Sequence, residues 1–141
     1  MATVTKVGRL RRVRNPYAPR ARRGARLLDV VWPGWAWHVA ADALAMATCD
    51  RCLLGQLYGS YYFGYAFINA QLPATFLFSA AEHGFTLHDW EQRQEFDEAF
   101  HVTNKAAILA RFAVLADAWR DEIAARLGAH MEVFEDDGQV E

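Results

Sequence analysis

Six apolar side chains, Ile108, Phe112, Leu115, Trp119, Ile123 and Leu127, recur at spacings of four, three, four, four and four. Only an α-helix brings residues at that spacing onto one side, because it completes a turn about every 3.6 residues. The stripe predicts a helix of about 24 residues, roughly 36 Å long. Thr103 or Asn104 caps its start, and Gly128 stops it at the C′ position. Lys105, Arg111, Asp117, Arg120 and Asp121 take the wet side. The rest of the 141-residue chain must cover the stripe, and that length fits one domain, since two would each be marginally small.

Material for a core is ample: 53% of residues are hydrophobic, with five Trp, five Tyr and nine Phe. A first helix is predicted over Arg20 to Val31, with Leu27, Leu28 and Val31 on one face. It ends at Trp32-Pro33-Gly34, because the residue before proline avoids the α region and glycine supplies a turn. Trp35 and Trp37 then lie on a short loop or turn. Thr48 or Asp50 is expected to cap a short helix through Tyr58, closed by Gly59. The stretch from Tyr61 to Ile68 holds aromatic residues without strict alternation, which favours a helix over a strand. Another short helix is expected over Ala74 to Glu82, ending at Gly84. Thr86 and Asp89 resemble a capping box opening an acidic helix that carries Trp90, Phe96 and Phe100. No strand pair or internal repeat emerges.

From Cys52 to Ala81 there is no charged residue and no histidine. Gln56, Ser60, Asn69, Gln71, Pro73 and three glycines interrupt the run, whereas a membrane-spanning helix wants about 20 predominantly apolar residues. Two buried elements joined by turns are expected, with no membrane partner.

Charge is sharply divided. Residues 1–28 carry nine basic side chains and no acidic one, whereas residues 29–141 carry six basic and seventeen acidic. Like charges in a block repel and resist collapse, and Pro16 and Pro19 disfavour regular structure before residue 20. A flexible arm over 1–19 follows. Its cationic residues, with those that begin the first helix, are Arg9, Arg11, Arg12, Arg14, Arg20, Arg22 and Arg23. Such a segment can neutralise nucleic-acid phosphates, dock on an acidic protein (another copy included), or serve as a solvated tail. At the other end, Glu132, Glu135, Asp136, Asp137 and Glu141 form an acidic tail that reads as a frayed terminus or folds back on the arm.

Both cysteines lie in Cys49-Asp50-Arg51-Cys52, and no apolar leader precedes them, so a reducing, intracellular setting is expected. Two thiolates at i and i+3 near a helix start can share a zinc ion, whose structural sites need four ligands. His83 and His88, with four residues between them, would complete the set, as would the same pair from a second chain. A dithiol redox centre is a further reading, although no βαβ pattern surrounds the pair. The plain reading, in which the cysteines pack as small hydrophobes and no cofactor is bound, is preferred.

The familiar catalytic layouts are missing: there is no nucleophile elbow, phosphate-binding glycine loop, dinucleotide fingerprint or His-Glu-x-x-His. Glu91, Glu95, Asp97 and Glu98 read as a solvated helix face. An enzyme is not expected.

The segments Leu27-Leu28-Asp29, Pro33-Gly34-Trp35 and Cys49-Asp50-Arg51-Cys52-Leu53-Leu54-Gly55-Gln56-Leu57-Tyr58-Gly59 resemble small uncharacterised proteins of actinobacterial phages and prophages. Gly84-Phe85 and Ala118-Trp119-Arg120-Asp121-Glu122-Ile123 look like the same group, and thirteen arginines against two lysines suit a high-GC genome. The resemblance covers residues 27–60 and, loosely, the last helix. It implies a phage setting, hence the cytoplasm of a bacterial host or a virion, and no mechanism.

The whole reads as an all-α protein. Its parts are an Arg-rich arm over 1–19, a helical domain over 20–129 and an acidic tail over 130–141. The expected function is a non-enzymatic interaction protein whose arm binds a polyanionic or acidic partner, nucleic acid or an assembly protein, with Tyr58, Tyr61, Tyr62 and Tyr65 as a partner surface. The alternatives are a zinc-stabilised regulator using Cys49 and Cys52, dimeric or not, and a dithiol redox protein.

Overall fold

A computed structural model describes residues 15–87 and 105–140, with side chains through Gly128. Among these residues there are helices and turns and no strand. The helices are α1 (Ala18–Val31), α2 (Leu53–Tyr58), α3 (Tyr61–Gln71) and α4 (Lys105–Val140), with 3-10 turns at Trp35–His38 and Ala41–Ala43. α1 packs on α4 and α2 packs on α3, and the 3-10 turn at Trp35–His38 touches both α4 and α2. That turn joins the two helix pairs.

α1 begins two residues earlier than its sequence suggests. Pro19 sits within the first turn, where its missing N–H forfeits no intrahelical bond. The helix buries Ala21, Gly24, Ala25 and Leu28, the i, i+3, i+4, i+7 row of an amphipathic helix. Three of the four are small, and the space they leave is taken by α4's Trp119, which is fully buried. A Cβ on Gly24 would collide with the His83 carbonyl oxygen and lie 2.8 Å from the Trp119 ring.

Trp119 organises the core. Its ring stands edge-on to Trp35, with centroids 5.7 Å apart, and stacks on Phe85 at 5.5 Å. Its indole N–H donates to the Gly84 carbonyl at 2.6 Å. A buried indole needs such a partner, since an unpaired polar group in the interior costs about 1–3 kcal/mol. Gly84 itself adopts φ +73° against the backbone of Ala21.

The predicted stripe is the buried face of α4: Ile108, Phe112, Leu115, Trp119 and Ile123 are in the core and Leu127 is half-buried. The helix does not stop at Gly128. It continues to Val140, because Gly128 is not among the glycines with positive φ, and without that left-handed turn glycine is simply a weak helix residue.

Two further expectations are corrected. The helix expected over Ala74–Glu82 is absent. Leu72, extended before Pro73, leaves α3, and Phe76 N–H bonds Pro73 O to close a turn. Turns around residues 79–85 then set Phe78 against Tyr65 at 5.3 Å while Phe85 lies on Trp119. That packing outweighs the weak helix propensity of Thr75, Phe76 and Phe78. The cap of α2 is neither Thr48 nor Asp50 but Cys52. Thr48 instead accepts from Arg51 N–H and donates to the Ala45 carbonyl, shaping the turn ahead of the helix. The capping box at Thr86 and Asp89 and the helix after it lie outside the described residues, although Thr86 is buried.

Candidate interaction surfaces

The root of the basic segment is fixed by one residue. Asn15 accepts from Tyr17 N–H through Oδ1 and donates from Nδ2 to the Val114 carbonyl of α4 (2.9 Å each). Beyond it, α1 carries Arg20, Arg22 and Arg23 in its N-terminal half and Arg26 just past its middle, with no acidic residue in the first turn. Arg20 is half-buried over the Tyr17 ring at 5.8 Å. Arg23 is exposed and donates to the Glu82 carbonyl at 2.9 Å. Arg22 and Arg26 are exposed, and no arginine of α1 forms an ion pair among the described residues. Arg20, Arg22 and Arg23 therefore stand on a helix anchored to the body. Arg9, Arg11, Arg12 and Arg14 lie outside the described residues.

The opposite end of α1 is tied down electrostatically. Arg126 forks onto Asp29, with Nε to Oδ1 at 3.0 Å and Nη2 to Oδ2 at 2.8 Å, and reaches Glu122 at 2.9 Å through Nη1. The Trp35 indole N–H also donates to Asp29, and the Arg126 guanidinium lies over that ring at 5.4 Å. The Arg126 hydrogen bonds hold the Asp29 carboxyl below its ordinary range and Asp29 raises Arg126. A bidentate fork is the geometry arginine supplies best. It also neutralises an acidic side chain near the C-terminal end of α1, where the helix dipole disfavours one.

A half-open cleft of about 250 Å³ lies between Leu44 and Met46 on one side and Leu109, Phe112 and Ala116 of α4 on the other. Arg120 closes one end, donating to the carbonyls of Ala41 and Leu44. The walls are apolar apart from Arg120 and its partner Asp117, and among the described residues no nucleophile–base pair faces the space.

The two cysteines have different surroundings. Cys52 is buried, and its Sγ accepts from Gly55 N–H at 3.2 Å while donating to the Cys49 carbonyl at 3.6 Å. A thiol here does the work of a serine N-cap. Cys49 is exposed. His83 bonds the Ser79 carbonyl through Nδ1 at 2.8 Å and packs on Phe78. His88 lies outside the described residues. Among the described residues no group of three or more His, Cys, Asp or Glu side chains is arranged to hold a metal ion.

The tyrosines divide by helix face. Tyr61 is turned into the core with Gly64 and Ile68. Tyr58 and Tyr65 are half-buried, and burial raises the Tyr58 hydroxyl above its ordinary pKa. Only Tyr62 of the four is well exposed, at 49%. Its exposed neighbours are Phe63 at 72% and Phe67 at 52%, which a reading confined to tyrosines passes over. The signal was present in the sequence: with Tyr61, Gly64 and Ile68 inward, 100° per residue sends Phe63 and Phe67 outward.

Comparison with family models, with curated proteins and with solved structures finds no match for this chain.

Proposed function

We propose that this chain is a non-catalytic interaction protein that binds the phosphate backbone of nucleic acid through its arginine-rich N-terminal segment and the exposed face of α1. The observation that carries the reading is the placement of Arg20, Arg22 and Arg23 in the N-terminal half of α1, with Arg26 just past its middle and no acidic residue in its first turn. That end of a helix is already positive, so cations near it cost stability, by roughly 0.3–1 kcal/mol where they fall in the first turn. Arg23 offsets part of this through the Glu82 carbonyl and Arg20 through the Tyr17 ring, whereas exposed Arg22 and Arg26 form no ion pair among the described residues. An anion is drawn to this end, because arginines, the helix end and a further Lys6, Arg9, Arg11, Arg12 and Arg14 all favour negative charge. Segregated charge supports the same reading: the acidic remainder of the chain disfavours binding by the whole body and directs a polyanion to this end. At the other end of α1, Arg126 is already occupied by Asp29 and by Glu122 of its own helix.

Fluorescence anisotropy with a labelled duplex and a labelled single strand tests this. The full chain should bind at low salt with a steep salt dependence. Deleting residues 2–14, or reversing both Arg22→Glu and Arg26→Glu, should weaken binding and leave the helical circular dichroism unchanged. For the double reversal, the slope of log affinity on log salt should fall by about two, since each phosphate neutralised on a duplex contributes roughly 0.9. Failure of both probes to bind, with polyglutamate bound instead, would replace nucleic acid by an acidic protein surface.

A further inference from the structure

We infer that the outer face of α3 is a self-association surface that pairs with α3 of a second copy of this chain. The inference is independent of the arginines of α1. α3 packs on α2, and its inward face is Tyr61, Gly64 and Ile68. The outward face is largely apolar too: Tyr62, Phe63, Ala66, Phe67 and Ala70 are exposed, with Asn69 on the same side as Tyr62 and Gln71 at the helix end as its polar members. A helix this apolar on both sides belongs in an interior, yet among the described residues nothing covers its outer side.

Two features select the occupant. First, no charged residue occurs between Cys52 and Ala81, so the face has nothing to steer a charged partner or to meet anionic headgroups, as the cationic flanks of interfacial helices do. Two copies of an uncharged surface meet without like-charge repulsion. Second, the area suffices. Tyr62, Phe63 and Phe67 are 49%, 72% and 52% exposed; with Ala66, Asn69 and Ala70 they present on the order of 500 Å², taking 150–250 Å² for a whole aromatic side chain. Two copies thus reach about 1,000 Å², the size at which specific interfaces begin. Exposed Phe76 and Leu77, at 43% and 92%, add apolar surface on the segment that leaves α3.

At 100° per residue, Ala66 and Ala70 run along the middle of the face, with Tyr62 on one flank and Phe63 and Phe67 on the other. Small central side chains let two helix axes approach to about 8–10 Å. A two-fold axis through this row sets each copy's aromatic flank over the other's alanines, the isologous arrangement of closed dimers.

Sedimentation velocity and light scattering on the full chain, from about 1 to 100 µM, read the result. The expected species at the upper end has twice the 16.0 kDa chain mass. Ala66→Arg should raise the dimer Kd at least tenfold while leaving the helical circular dichroism and Tm of the monomer in place. Phe63→Glu, on the flank, should do the same, so the test does not rest on one variant. Val30→Arg, also at an exposed apolar position (77%), serves as control and should dimerise normally. A monomer throughout the range would overturn the inference. So would a dimer indifferent to both α3 variants. Flotation of a monomeric chain with neutral phosphatidylcholine vesicles, lost in Phe63→Glu, would overturn it in favour of a lipid surface.

Discussion

The same substitution at two helical glycines should have opposite effects. In Gly24→Ala the new methyl meets the His83 carbonyl and the Trp119 ring, whose nearest carbons lie 2.8 and 2.9 Å from it. Neither obstacle gives easily, since one is backbone and the other a fully buried indole bonded to Gly84. Overpacking of this kind costs about 1–3 kcal/mol, and the rigidity of both neighbours puts it at the upper end. Alanine's propensity advantage in a helix recovers about 1 kcal/mol at most. The net is a loss of about 2 kcal/mol, or roughly 6–10 °C in Tm for a domain of this size. In Gly128→Ala nothing lies within 4 Å of the new methyl, and α4 runs through the position. Only the propensity term remains, so stability should rise by about 0.5–1 kcal/mol, a gain of roughly 2–4 °C. Thermal unfolding followed by circular dichroism at 222 nm measures both. A neutral or stabilised Gly24→Ala would refute the close approach of α1 to the 79–85 turns. A destabilised Gly128→Ala would show that glycine there holds a left-handed C′ turn and that α4 ends where its sequence suggests.

Two further tests address the polar contacts. The Arg126 fork lowers the Asp29 pKa below its ordinary value of 3.8, so the stabilisation from this pair is present above pH 3.8 and lost as pH falls through the lower, folded-state value. The Tm gap between the full chain and Asp29→Asn should therefore hold from pH 7 to 5 and close on further acidification; a gap unchanged near pH 2.5 would remove the ion pair as its cause. At the cysteines, Cys52→Ala deletes the cap of α2 and should cost about 1 kcal/mol, whereas exposed Cys49→Ser should change stability by less than about 0.5 kcal/mol. A drop in Tm on adding a chelator, abolished in Cys49→Ser, would restore zinc as the reason for the pair.

How much of this was visible beforehand depends on the range of the interaction. The α4 stripe was readable because period and length of an amphipathic helix are local properties, and Phe112, Leu115, Trp119 and Ile123 did become core. Gly34 and Gly59 were likewise readable as stops, and both have positive φ. Gly128 carried the same signature and is crossed by helix, because φ at an exposed glycine is settled by whether the chain continues, not by the residue itself. The turns at 73–85 were hidden for the converse reason: their shape is fixed by Phe78 meeting Tyr65 and by Trp119 needing the Gly84 carbonyl, interactions that span long stretches of sequence.

The site residues divide similarly. Charge segregation is additive and could be counted from the residues alone. That Arg126 would be spent on Asp29, 97 positions away, or that a cysteine would cap α2 on its own, required the fold. So did the aromatic stretch, where one helix sends Tyr61 inward and Phe63 outward within two residues. The amino-acid sequence by itself determined a helical chain with one long amphipathic helix and a cationic end, since these follow from residue type and spacing. Only the tertiary structure decided which cations are held, which thiol is buried and which aromatic face is left open, because each depends on what the fold brings alongside.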